Sequence, residues 1–163
     1  MIRGRVEHGR TGLVVGGLTA VLLAGCASDA SMARTGSRDV VAERQRLMKG
    51  QGANWQDIQK KYKAGDIEGI EVNAENLAMS SEKITALFPK GSLTDKSKAK
   101  PEIWEKWPEF EADAKNLENW AVRLRDAAHA KNQAQVDAIM KEFGRQACST
   151  CHNPFRVPPP QRS

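Results

Sequence analysis

The sequence predicts an all-α fold, an antiparallel four-helix bundle. Three observations carry that expectation. Apolar residues recur at steps of three and four in four separate segments, the connections are mostly short and marked by glycine or proline, and no run alternates apolar with polar residues as a half-buried strand would.

The first helix is expected over Asp39–Ala64, with Asp39 as its N-cap and Val40, Leu47, Met48, Trp55 and Ile58 as its apolar set. Gly50-Gln51-Gly52 weakens its middle, since glycine costs about 1 kcal/mol against alanine in a helix. Gly65 is a natural C′ residue. The second helix begins at Asp66 and repeats Ile67, Ile70, Ala74, Leu77, Ser81, Ile84 and Phe88, the seam of a bundle helix, until Pro89 ends it. Lys90–Lys100 (KGSLTDKSKAK) has no periodicity and reads as a loop whose lysines are solvated. Pro101–Trp107 is a short helical turn, and Pro108 starts the third helix, whose face is Phe110, Ala114, Leu117, Ala121, Leu124 and Ala128. After a turn at Ala130–Asn132, the fourth helix presents Val136, Ile139, Met140, Phe143, Ala147 and Cys151, with Cys148 and His152 at neighbouring positions of the stripe. Val157-Pro158-Pro159-Pro160 cannot continue a helix, so residues 157–163 are expected to be a disordered tail.

That last stripe ends in Cys148-Ser149-Thr150-Cys151-His152, and Cys-x-x-Cys-His is the attachment signature of a c-type haem. Two thiols add across the vinyl groups of the porphyrin, and the following imidazole reaches the iron. Two intervening helical residues place both sulfurs along one edge of the macrocycle. The competing readings are a redox dithiol, half of a zinc site and a plain disulfide. Zinc needs four ligands, and after the first 25 residues His129 is the only other histidine, with no second cysteine pair. A thioredoxin-like dithiol needs a βαβ context that the pattern lacks. The bundle is therefore expected to hold one covalently bound haem, with iron, against its core. Burial of its several hundred Å² of apolar surface, at about 25 cal/mol per Å², would help hold the helices together.

Residues 1–25 read as an export signal. Arg3, Arg5 and Arg10 against Glu7 form a basic start, and Thr11–Gly25 (TGLVVGGLTAVLLAG) is an apolar run. It is shorter than the roughly 20 apolar residues of a membrane span. The run ends in Leu23-Ala24-Gly25-Cys26, which looks like a bacterial lipobox, with Cys26 as the lipidated first residue of the mature chain. The alternatives are an ordinary cleaved signal and an uncleaved anchor. Three cysteines are odd for an exported protein, but two on haem and one on lipid leave none free. Residues 26–38 read as a flexible tether between lipid and domain, and residues 39–156 as the cytochrome domain. The whole chain carries 25 Lys+Arg against 20 Asp+Glu, a formal +5, and removing residues 1–25 leaves 22 against 19, or +3. So mild a balance gives no footprint for nucleic acid.

A haem motif at the C-terminal end of an exported four-helix bundle resembles the class II cytochromes c, of the cytochrome c-prime family, and not the class I proteins, whose motif lies near the N-terminus. The resemblance spans about residues 39–156. It rests on Leu87-Phe88-Pro89, on Lys100-Pro101-Glu102-Ile103-Trp104, and on Cys148 to Arg156, where Phe155 and Arg156 match the aromatic and basic residues that follow the family motif. Pro154 departs from it, since the family usually continues the helix there.

The resemblance implies His152 as the proximal iron ligand, and two branches differ on the far face. In cytochromes c-prime an apolar residue of the first helix leaves a five-coordinate iron that binds nitric oxide or carbon monoxide. In the cytochrome c-556 type a methionine of that helix binds the iron. Arg44-Gln45-Arg46-Leu47-Met48-Lys49 resembles the latter, with Met48 on the inward face. The alternative for Met48 is core filler. Met32 lies in the tether, Met79 off the second-helix seam, and Met140 on the helix of the proximal ligand. His129 is the weaker rival, read as a solvated helix-end residue stabilised by the dipole. Arg44 and Arg156 are candidates for the haem propionates or edge, against an equal claim to be surface arginines. Trp104 and Phe143 are candidates to pack on the porphyrin.

His/Met ligation leaves no open site for substrate. A thioether favours the ferrous state and raises the potential. The expected function is one-electron transfer among redox proteins of the bacterial periplasm, by a membrane-tethered carrier that is not itself an enzyme. The second reading is a five-coordinate binder of nitric oxide or carbon monoxide. The resemblance adds homodimerisation through the first two helices as an option.

Overall fold

The computed structural model describes residues 29–159, with side chains from Val40 onward. The export signal, Cys26 and residues 160–163 lie outside the described residues. Within them the fold is all-helical, and the helices run α1 (Asp29–Ala64), α2 (Ile70–Ser81), α3 (Glu102–Glu105), α4 (Trp107–His129), α5 (Gln133–Phe143) and α6 (Thr150–Phe155). A 3₁₀ turn, Thr85–Leu87, extends the line of α2, and a π-helical segment, Gly144–Ser149, joins α5 to α6.

The α1 backbone begins at Asp29, not at the expected Asp39 cap, so its start lies inside the stretch read as a tether. Ala, Met and Arg, good helix formers, populate residues 29–38, and no proline interrupts them. The C-terminus follows expectation. Gly65 takes φ +75°, its N–H donates to Tyr62 O and that of Asp66 donates to Lys61 O, the paired bonds of a Schellman end. A side chain at Gly65 would be strained whatever the space around it.

The second helix is shorter than the sequence pattern suggests. Asp66 forms a turn in which its Oδ1 accepts from Gly69 N at 2.9 Å, and regular α2 starts only at Ile70. The expected seam is nevertheless in place: Ile70, Ala74, Leu77, Ser81, Ile84 and Phe88 are all buried. The α4 stripe of Phe110, Ala114, Leu117, Ala121, Leu124 and Ala128 is buried throughout, as predicted. Between α4 and α5, Lys131 adopts a left-handed φ of 52°, and Asn132 caps α5 by accepting from Gln135 N at 3.1 Å.

The fourth helix departs most from expectation. In place of one regular α-helix, the six residues Gly144–Ser149 take π geometry, with Cys148 inside that segment and Cys151 in α6 just after it. Their wider turns displace carbonyls from the usual ladder. Side chains take several of these up: Asn116 Nδ2 donates to Gln146 O at 2.5 Å, Ser149 Oγ to Gly144 O at 3.1 Å, and Thr150 Oγ1 to Gln146 O at 3.1 Å. Pro154 is accommodated inside α6, which ends at Phe155. The chain then pairs back on the long loop. Lys100 N donates to Phe155 O at 3.0 Å and Val157 N to Lys98 O at 2.8 Å, an isolated antiparallel bridge of Ala99 with Arg156. The residue that opens the segment read as a tail is thus fastened to the domain.

Helix α2 packs most extensively on α4 and also on α1, while α5, the π segment and α6 all pack on α4. Among the described residues the α1 backbone packs on α2 and the 3₁₀ turn. The gap between α1 and the α5–α6 line is spanned by side chains, and it holds the site.

Candidate functional site

A cavity of about 500 Å³ opens between α1 and the C-terminal helices. Val41, Arg44, Met48, Gln51 and Trp55 line it from α1. These positions follow each other at three- and four-residue steps, so they form one helical stripe. Phe143, Ala147, Cys148, Cys151 and His152 line it from the opposite side. Leu77 and Leu117 add apolar wall from α2 and α4. The stack of Trp55 on Phe143, with ring centroids 4.5 Å apart and planes 15° from parallel, ties the two sides together.

The cavity unites most of the residues predicted from sequence. Cys148 and Cys151 are half-buried with free thiols, and burial raises both pKa values. For Cys151, burial comes first, then the carboxylate of Asp113 and the neighbouring Cys148, pushing the thiol up to about 12. His152 is exposed at the cavity edge. Desolvation, and then the charge of Arg156, lowers its pKa, which favours the neutral imidazole that can ligate a metal. Met48 is half-buried on the facing wall, with its side chain packed against the core.

Arg44 is the most informative side chain. It is 5% exposed, its Nη2 donates to Ser92 O at 2.7 Å, and its guanidinium lies 4.5 Å from the centroid of Phe88. Its Nε and Nη1 are buried and have no partner in the protein. Burial lowers its pKa. Buried guanidinium donors are otherwise paired, so a ligand that brings an anionic oxygen into this cavity matches them. An Arg44 buried among aromatic groups also displaces the reading of a solvated surface arginine.

Arg156 lies exposed on the cavity rim, its backbone held by the bridge to Ala99. Phe143 lines the cavity and is fully buried. Trp104 does not line it; its indole N–H donates to Phe88 O at 2.9 Å, and the half-buried ring packs against the core beside Pro89 and Trp107. His129 lies 75% exposed at the end of α4, against Glu71 at 3.1 Å, away from the cavity. Met140 is on α5 outside the lining, and Met79 is 52% exposed.

Among the lining residues the sequence reading did not assign to the site are Gln51, Trp55 and Asp113. Gln51 is buried and donates to Ser80 Oγ at 3.2 Å. Trp55 was placed only as core. Asp113 is half-buried, its pKa raised by burial and then by Glu109. The signal for Gln51 was present, since it continues the spacing of Arg44 and Met48.

The donor set fits a covalently attached haem: an apolar slot, two thiols spaced for thioethers, an adjoining imidazole, a thioether on the opposite wall, and buried guanidinium N–H groups able to meet a propionate. Among the described residues no group of three or more His, Cys, Asp or Glu side chains could hold a metal ion. The cysteine pair therefore has no ligand set for zinc there.

Comparison with known proteins points the same way. The family model described as Cytochrome C′ matches residues 39–156. A cytochrome c-556 of Agrobacterium fabrum is 31% identical over 146 residues, covering 86% of this chain and 94% of its own. A cytochrome c′ of Pararhodospirillum photometricum is 36% identical over 85 residues, 52% of this chain and 67% of its own. Cytochrome c prime from Shewanella frigidimarina shares the fold, with a TM-score of 0.68 at 22% identity over 75% of this chain and 97% of its own. A nitric oxide complex of a cytochrome c prime variant from Alcaligenes xylosoxidans has a TM-score of 0.67 at 25% identity, covering 76% and 97%.

Proposed function

The chain belongs to the cytochrome c′ family, with the covalent haem c of its c-type electron carriers, and we propose that His152 and Met48 ligate the iron from opposite faces. The observation that carries the reading is the placement of Met48 on the wall facing Cys148, Cys151 and His152, in the stripe that begins with Val41 and Arg44.

The bound haem supplies an iron that gains and loses one electron. Cys148 and Cys151 would hold the group through thioethers, and the neutral imidazole of His152 would bind its iron. Met48 would contribute a soft thioether that favours the ferrous state and raises the potential. Arg44 would offer Nε and Nη1 to a propionate, and Arg156 stands at the rim. Phe143 and Leu77 supply an apolar wall that disfavours water in the site. With both ligands bound, the iron would offer no position to a substrate, and the protein would carry electrons without turning over a reactant.

Ferric electronic and resonance Raman spectra test the ligation. The expected result is low-spin haem in the native protein and high-spin haem in Met48→Leu. An unchanged spectrum refutes Met48 as the ligand. The second reading, a five-coordinate haem that binds nitric oxide or carbon monoxide, is supported by the Alcaligenes xylosoxidans neighbour, a nitric oxide complex. A high-spin native ferric spectrum selects it.

Export to the periplasm and a lipid on Cys26 complete the proposal, resting on Leu23-Ala24-Gly25-Cys26. Among the described residues no helix is long and apolar enough to cross a membrane. Detergent phase partition of the full chain made in a bacterium tests the anchor: the native protein enters the detergent phase and Cys26→Ser stays in water. Equal partition refutes it.

A further inference from the structure

Lys61, Lys106, Lys115, Arg125, Lys131 and Arg145 form ion pairs among the described residues, and none of them lines the cavity. Arg46, Lys60, Lys63, Lys83, Lys90 and Lys141 are exposed outside those pairs and away from the cavity lining. The mouth holds a cluster of its own. Lys49 of α1, Lys98 of the long loop and Arg156 after α6 line the rim, are exposed, and make no ion pair in the described structure. Lys96 stands two residues from Lys98, also exposed and also outside those pairs. Against them are Asp95 on the loop and Asp113 inside the wall.

The loop that carries these lysines lacks helical structure, yet its backbone is fixed on both sides. Arg44 donates to Ser92 O at 2.7 Å and Gln45 Nε2 to Lys96 O at 3.2 Å, which fasten it to α1. The bond of Val157 N to Lys98 O and that of Lys100 N to Phe155 O fasten it to the end of α6. The loop lysines therefore stand on a fixed frame at the mouth of the cavity. A cluster of like charge at the mouth of a site steers an oppositely charged partner and sets its orientation more than its affinity.

We infer that Lys49, Lys96, Lys98 and Arg156 form a docking rim for a redox protein whose own electron-exchanging edge is surrounded by carboxylates. The inference rests on the carrier reading above and adds the partner's chemistry to it.

Stopped-flow oxidation of the ferrous holoprotein by two small probes of opposite charge tests it, namely hexacyanoferrate(III) and tris(phenanthroline)cobalt(III). At about 10 mM salt, where the screening length is about 30 Å, the anionic probe reacts faster than in high salt and the cationic probe slower. Lys96→Glu with Lys98→Glu lowers the low-salt rate for hexacyanoferrate(III) roughly five- to tenfold and raises that for the cobalt complex. Lys60→Glu with Lys63→Glu makes the same change in net charge farther along α1, roughly 16–21 Å from Lys49 at 1.5 Å per residue, and shifts the rates far less. Equal effects of the two double variants overturn the rim, because net charge alone then explains them. Equal salt responses of the two probes overturn it as well. Sedimentation with phosphatidylglycerol vesicles that requires Lys96 and Lys98, without a contrast between the probes, assigns the rim to lipid and overturns the proposal. The ferric spin state is read on the same samples, so failure of the carrier reading is seen independently of the rates.

Discussion

Replacing Arg44 by methionine distinguishes a guanidinium that serves the haem from one that only packs the bundle. The side chain of Arg44 is 5% exposed, so what it gains and loses is internal. Its bond to Ser92 O at 2.7 Å is a charged-donor hydrogen bond, worth about 1.5–3 kcal/mol. Its position over Phe88, 4.5 Å from the centroid, adds about 0.5–2 kcal/mol. Against these stand Nε and Nη1, buried without a partner in the protein, each of which costs about 1–3 kcal/mol if left unmade. With nothing meeting those two donors, the contributions cancel and Arg44→Met is neutral or slightly stabilising.

A propionate at those donors reverses the sign. Truncation then removes the partner of a buried carboxylate, a loss of about 3–5 kcal/mol. The assay is urea unfolding of the holoprotein, followed by far-ultraviolet circular dichroism and haem absorbance together. With a slope of about 2 kcal/mol per molar, the midpoint falls by roughly 1.5–2.5 M. The potential falls too, since a cation that favours extra electron density on the iron is gone. Arg44→Lys keeps the charge and loses the fork, so it retains more of the potential than of the stability. A midpoint for Arg44→Met equal to or above the native one refutes the propionate assignment.

Three further outcomes follow from the packing. Phe143 is fully buried, stacked on Trp55 at 4.5 Å and edge-on to Trp120 at 6.4 Å, so Phe143→Ala costs about 3–5 kcal/mol in the same urea assay; a loss below about 1 kcal/mol contradicts its role in joining α1 to α5. Asn132→Ala removes the cap on Gln135 N and lowers stability by about 1 kcal/mol, read as a fall in Tm of roughly 3–6 °C, with no change in the haem spectrum. Tyr62 donates to Asp137 at 2.8 Å, a bond that lowers the pKa of Asp137, with help from Gln133 and Lys141. A depressed carboxylate stabilises the fold above its ordinary value and ceases to as pH falls through its folded value. The difference in Tm between native protein and Tyr62→Phe is therefore steady near neutrality and shrinks in acid below the ordinary 3.8; a difference that grows in acid refutes the pairing.

The bundle was legible where a face is apolar throughout. The α4 stripe from Phe110 to Ala128 and the α2 seam from Ile70 to Phe88 follow the sequence pattern residue by residue, because their neighbours are other apolar faces. On α1 the pattern misled by one position. Val40 was taken as inward by hydrophobicity, whereas the buried and cavity-lining stripe is Val41, Arg44, Met48, Gln51, Trp55 and Ile58; Leu47 packs against the core, as expected, without lining the cavity. Two polar members concealed the stripe's regular spacing. They are tolerated because this face meets a site and not a dry core, and at such places local rules are expected to fail. The π segment was also hidden, since Gly144–Ser149 (GRQACS) carries no marker of a widened turn, and the carbonyls it frees are met by Asn116, distant in sequence. The Cys-x-x-Cys-His motif itself was legible without any fold.

The motif fixes only one side of the site, and what aligns Met48 with His152 lies elsewhere. Among the described residues the α1 backbone packs on α2 and the 3₁₀ turn, while α6 hangs from α4, so the two ligand-bearing walls belong to different halves of the bundle. Trp55 against Phe143 bridges those halves. Trp55 lies roughly two helical turns beyond Met48, and Phe143 directly precedes the π segment that carries Cys148. A slip of one residue in α1 would rotate its stripe by about 100°, carrying Met48 and Arg44 away from the slot together. Together with the Tyr62–Asp137 bond, the ring stack sets the register on which both proposed distal roles depend. If Met48 binds the iron as proposed, that ligation is a property of how α1 packs across the gap, as much as of the two ligands themselves.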